Sequence, residues 1–174
     1  MKKTILLIIV AAASLAPLGA ETKPSTGMSF GFTLNEYVDD FGLGVQITSP
    51  FLFNAVGLRL TGTTQFSRSD WSPWWTVQAG LVGTSGLVAG FARFYGEGGA
   101  VLAFPSASVS SAFHAWGGYG HFGFEFFTAE ESPIAYYIEA GATGSGLTAD
   151  KAGGALILNG FRIQVGFRGY PWRK

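Results

Sequence analysis

The sequence contains no cysteine, which closes off disulfide staples, thiolate metal centres and lipid anchoring through a cysteine. Charge is scarce as well. Asp, Glu, Lys and Arg make up 13% of the 174 residues, about half the usual share. Eleven basic residues balance eleven acidic ones without a basic run, so the electrostatic footprint of a nucleic-acid binder is missing. Histidine occurs only as His114 and His121. Past position 20 there is neither a helical apolar period nor an apolar stretch near the roughly 20 residues that a spanning helix needs. Glycine, at 26 residues, and aromatic side chains, at 16%, are abundant instead.

The N-terminus, MKKTILLIIVAAASLAPLGA, places Lys2 and Lys3 before an apolar run and ends on Leu18, Gly19 and Ala20. That order describes an export signal with a small-residue cleavage site, and the run is too short to anchor the chain. Removing residues 1–20 leaves 154 residues, a single-domain length. Lys2 and Lys3 go with it, so the net charge falls from zero to −2. The expected organisation is a signal at 1–20, a short Pro- and Ser-containing entry at 21–27, and one domain over 28–172.

That domain reads as successive runs of period two. Met28, Phe30, Phe32 and Leu34 alternate with glycine and polar residues; so do Phe41, Leu43, Val45 and Ile47, then Val56, Leu58 and Leu60 (with Arg59 among the alternates), then Trp75, Val77, Ala79 and Leu81. A fifth run, 87–95, is ambiguous, and parity with Arg93 sends Val88, Ala92 and Phe94 to the apolar face. Later runs set Trp116, Phe122, Phe124 and Phe126 against Tyr119, His121, Gly123 and Glu125, then Ile134, Tyr136 and Ile138 against Tyr137 and Glu139. The last, GFRIQVGFR, sets Phe161, Ile163, Val165 and Phe167 against Arg162, Gln164 and Arg168. Side chains on a strand alternate between faces, so the fold class is all-β, with eight antiparallel strands in up-and-down order. Short connections are expected at SPFLFN (49–54), GTSG (83–86) and AEESP (129–133). Longer ones are expected at 67–73, 96–111 and 143–158.

Two barrels fit such a chain. A lipocalin-like barrel turns its apolar face inward around a ligand, whereas a transmembrane barrel turns it outward to lipid. The polar face decides in favour of the second: it is Gly, Ser, Thr and Gln with a few Arg and Glu, and no lysine falls in any of the runs. A water-facing surface would be rich in Lys, Glu and Asp. Arg59, Arg93, Glu125, Glu139, Arg162 and Arg168 are therefore expected inside, paired in a polar network, with Glu139 and Arg162 the first pair to name. Aromatic residues near strand ends, Tyr37, Phe41, Trp71, Trp74, Trp75, Tyr170 and Trp172, are expected to form interfacial girdles.

At this level the chain resembles the small eight-stranded outer-membrane barrels, the group that includes the OmpX-like proteins and the transmembrane domain of outer-membrane protein A. The resemblance covers roughly residues 28–172 and rests on strand number, alternation, turn asymmetry and the aromatic last strand GFRIQVGFRGYPW. It departs at the end, where many members finish on an aromatic residue and this chain continues past Trp172 with Arg173 and Lys174. What it implies is a bacterial outer-membrane location after export through the inner membrane. It also implies contact with outer-membrane and lipopolysaccharide-type lipids, handling by the outer-membrane assembly machinery, and loops open to an extracellular ligand.

No catalytic, cofactor-binding or metal-binding residue is expected. On an uninterrupted strand His114 and His121 point to opposite faces and cannot share a metal. His121 and Glu125 share a face, but no serine accompanies them as lipid A-modifying barrel enzymes would require. A narrow channel remains a lesser reading, because an eight-stranded barrel encloses little more than its own side chains.

Overall fold

The computed structural model describes residues 26–37, 40–67, 71–88, 91–127 and 133–172. The signal at 1–20 and most of the entry at 21–27 lie outside the described residues. Eight strands, β1 (Ser29–Glu36), β2 (Asp40–Thr48), β3 (Val56–Ser67), β4 (Pro73–Val88), β5 (Ala92–Phe104), β6 (Ala115–Phe127), β7 (Ile134–Gly144) and β8 (Asn159–Gly169), form the chain. Each pairs antiparallel with its neighbours in sequence, and β1 pairs with β8 to close the barrel. Closure leaves no strand edge open to aggregation. It also places the start of β1 and the end of β8 at one end, here the terminal end.

Alternation sorts the faces. Val45, Leu58, Trp116, Phe122 and Phe161 are exposed outside, while Gln46, Arg59, Gln78, Glu125 and Arg162 are buried inside. The outside thus exposes large apolar side chains on seven of the eight strands, where a water-facing monomer keeps such patches small. A lipocalin-like arrangement needs the reverse, and the structure corrects that alternative: any apolar ligand would meet guanidinium and carboxylate groups.

The β4–β5 region also corrects the sequence reading. The GTSG segment is not a turn. β4 runs through it to Val88, with a register shift between Thr84 and Leu87 that absorbs the irregularity as a bulge. The ambiguous run 87–95 therefore straddles two strands, and residues 96–104, expected in a loop, complete β5. Arg93 is buried inside and Phe94 stacks outside on Phe122, but Ala92, expected on the open apolar face, is 5% exposed. Val88 lies outside the residues whose side chains are described.

At the end opposite the termini the β7–β8 connection does not stand free. Leu147, Ala149, Ile157 and Leu158 fold into the mouth with Val109 of the β5–β6 connection. There they pack on Tyr37, Trp74, Val101, Ala103 and Tyr119 of the wall. Ser110 and Ser111 clasp Asp150 from the neighbouring connection, with Ser110 Oγ 2.7 Å and the Ser111 amide 2.9 Å from Asp150 Oδ1. An apolar plug held by two loops closes this mouth.

Candidate functional site

The lumen is filled by side chains from every strand. Inward glycines make room for inward tyrosines: a methyl group on Gly123 would sit 2.6 Å from the Tyr95 ring and hydroxyl. Tyr137 lies in the same way over Gly166. The rings fill the backbone hollow that a glycine leaves and carry their hydroxyls to the centre.

Nearest the terminal end, Arg93 holds Glu125, with Nε 2.9 Å from Oε2 and Nη2 bonded to the same oxygen. Tyr170 donates to Glu125 Oε1 at 2.5 Å and accepts from Arg93. The Arg93 guanidinium lies over the rings of Phe51, Phe127 and Tyr170 at 5.0 to 5.8 Å.

Above this cluster Glu139 is the hub. Its Oε1 accepts from Tyr95 (2.5 Å), Arg168 (2.5 Å) and Arg59 (3.1 Å), and its Oε2 accepts from Gln164 (2.6 Å). Arg59 bridges onward to Glu97 Oε2, while Tyr119 donates to Glu97 Oε1 at 2.6 Å. Arg168 also approaches Glu125 at 3.5 Å, joining the two clusters.

His121 forms the third level. Its Nδ1 lies 2.9 Å from Arg162 Nη2. A guanidinium only donates, so Nδ1 accepts and the ring proton sits on Nε2. That atom lies 3.2 Å from Glu97 Oε2 and 3.5 Å from Glu139 Oε2, in neither case aligned for a hydrogen bond.

All six charged residues expected in the lumen are buried there, but not with the expected partners. Glu139 and Arg162 do not pair. Arg162 reaches Gln78 and His121, because Glu139 stands opposite Gln164 in the β7–β8 register while Arg162 stands opposite Gly141. The aromatic girdle divides. Phe41, Trp71, Trp75 and Trp172 lie on the outside, with Phe41 stacked on Phe66 and edge-on to Trp71, and Trp172 edge-on to Phe30. Tyr37, Trp74 and Tyr170 are buried at 3%, 0% and 2% exposure and correct the expectation. Each shares its parity with inward residues of the strand it lies in or directly follows, namely Asn35, Thr76 and Arg168, and that signal outweighs residue type.

Glu97, Tyr95 and the role of His121 escaped the sequence reading. Glu97 falls within the connection expected at 96–111, although it has the parity of Arg93. His114 precedes β6 and is exposed against Phe113. No dyad forms between His121 and Glu125, since Glu125 is held by Arg93 and Tyr170. The ligand atoms of Glu97, His121 and Glu139 do lie within 4.8 Å of one another, a gathering the sequence did not announce. The donor chemistry does not suit a cation. Nε2 presents a proton rather than a lone pair, and Arg59 and Arg168 already neutralise both carboxylates.

No family model matches the chain, and no curated protein matches it in sequence. Solved structures share its fold, two of them as follows. The N-terminal β-barrel domain of Pseudomonas aeruginosa OprF aligns with a TM-score of 0.59 at 14% identity, over 83% of this chain and 97% of that domain. The outer membrane protein OprG from the same organism aligns with a TM-score of 0.51 at 12% identity, over 87% of this chain and 98% of its own. The chain therefore has the fold of the small outer-membrane barrels.

Proposed function

We propose that the protein is an integral barrel of the bacterial outer membrane with a non-enzymatic role in envelope structure or surface interaction, and a packed polar lumen rather than a wide pore. The observation that carries this reading is the inversion of its surface: Arg59, Glu97, Glu125 and Glu139 are buried inside, while Val45, Leu58, Leu81 and Phe122 are exposed outside. Only a hydrocarbon solvent makes that arrangement favourable. The export signal at 1–20 supports delivery across the inner membrane, and the fold shared with OprF and OprG supports the destination. Contact with outer-membrane and lipopolysaccharide-type lipids and handling by the assembly machinery follow from that placement. The plug and the Arg–Glu network among the described residues support a packed lumen rather than a wide pore, and the exposed parts of the loops remain the surface for any partner.

Fractionation followed by gel electrophoresis with and without boiling tests the reading. The protein is expected in the outer-membrane fraction, with a mobility that shifts on heating, and without large steady conductance in planar bilayers. Recovery as a soluble monomer without detergent would overturn it.

A further inference from the structure

Within the lumen the described residues place four buried guanidinium groups, of Arg59, Arg93, Arg162 and Arg168, against three buried carboxylates, of Glu97, Glu125 and Glu139. Ion pairs within 4.0 Å join those carboxylates to Arg59, Arg93 and Arg168. Arg162, at 2% exposure, has no such partner. Its contacts are Gln78 Oε1 at 3.0 Å, His121 Nδ1 at 2.9 Å and the face of Tyr119 at 5.7 Å, none of them an anion. His121 turns Nδ1 to the guanidinium and brings it no negative charge. The remaining buried acid, Asp40, lies at the rim opposite Ser67.

Among the described residues one guanidinium is thus left without a carboxylate in the middle of the barrel. Arg162 faces Tyr119, a wall residue on which the apolar plug packs, so water has little access to screen that charge, and an uncompensated buried cation is costly. The same spot has donors to spare. Of the five N–H groups of a guanidinium, Arg162 directs one to Gln78 and one to His121. Gln78, 2% exposed, uses its oxygen on Arg162, and its Nε2 has no hydrogen-bond partner. Trp74 Nε1, in the plug, is another buried donor without a partner.

We propose that Arg162 and Gln78 form a binding site for one small monovalent inorganic anion inside the barrel, beneath the plug. Arg162 sets the valence, since a single negative charge supplies the one lumen guanidinium that has no carboxylate. The eight-stranded lumen sets the size, because it has room for little beyond side chains. The donors are all N–H groups, which suit a halide-like acceptor that needs no donor in return.

Bromide in crystals of the purified, detergent-solubilised protein tests this by anomalous scattering. The expected result is a lumen peak within hydrogen-bonding range of the Arg162 guanidinium and Gln78 Nε2 that is absent in Arg162→Gln. Peaks confined to the surface, or a lumen peak that persists in Arg162→Gln, would overturn the proposal. A second measurement does not depend on crystals of the variant. When gluconate is replaced by chloride at constant ionic strength, the unfolding midpoint is expected to rise for the wild type and to stay level for Arg162→Gln. Equal dependence in both, or none in the wild type, refutes the site.

Discussion

Arg162 of β8 donates to Gln78 of β4 at 3.0 Å, joining strands on opposite sides of an eight-strand ring. A side chain from one wall is anchored on the far wall, so the lumen at this level is bridged rather than open. Tyr119 beside it and the plug packed on that ring make the bridge part of a filled column.

The hub of that column gives the first prediction. Glu139 accepts four hydrogen bonds and neutralises Arg59 and Arg168. Removing one partner of a buried ion pair leaves charge uncompensated, at a cost of about 3 to 5 kcal/mol. Glu139→Gln is expected to lose that much in urea unfolding from lipid vesicles. Tyr95→Phe, which removes one hydroxyl, should lose only about 1 to 3 kcal/mol. Equal small effects would mean that Glu139 is not the hub.

The second prediction concerns the solvent outside. Val45 lies mid-strand on β2 and is 66% exposed. In a bilayer Val45→Arg should cost about 2 to 4 kcal/mol of folding stability in vesicles. If water covered this face, the change would stay within about 0.5 kcal/mol, as exposed substitutions usually do.

Backbone strain at the β2–β3 turn leads to the third. Phe53 and Asn54 both have positive φ, 53° and 57°, the pattern of a type I′ hairpin that favours Asn and Gly over a bulky residue. Phe53 is 98% exposed, so its ring has no packing to lose. Phe53→Asn is expected to raise stability by about 0.5 to 1 kcal/mol by easing the left-handed conformation. A drop on the same unfolding assay would show that the ring is bound to something.

A pH effect is expected at the loop clasp. Hydrogen bonds from Ser111 and Ser110 hold the Asp150 carboxyl well below the usual carboxylate range. Because the folded value is depressed, the clasp is at full strength above the unfolded Asp value of about 3.9 and is lost only as pH falls towards the folded value. Hydrogen exchange of the β5–β6 and β7–β8 connections should therefore remain protected from neutral pH down to mildly acidic conditions. Asp150→Asn should loosen both connections at pH 7. Loosening of the wild type already near pH 6 would contradict the assignment.

Much of this architecture is written in the sequence, because period two is a local property. Phe161, Ile163, Val165 and Phe167 against Arg162, Gln164 and Arg168 declare a two-faced strand. The dearth of lysine and of charge says which face avoids water. Parity alone would also have turned Tyr37, Trp74 and Tyr170 inward and brought in Glu97. The tertiary structure decided what parity cannot: where β4 ends, since a bulge lets the strand continue through Gly83 and Thr84, and who meets whom across the lumen. Closure and strand stagger bring Arg59 of β3 to Glu97 of β5 and Glu139 of β7, and Arg162 of β8 to Gln78 of β4. These partners are 38, 80 and 84 residues apart in the chain. Such pairings depend on the geometry of a closed ring, and no local pattern of residues encodes it.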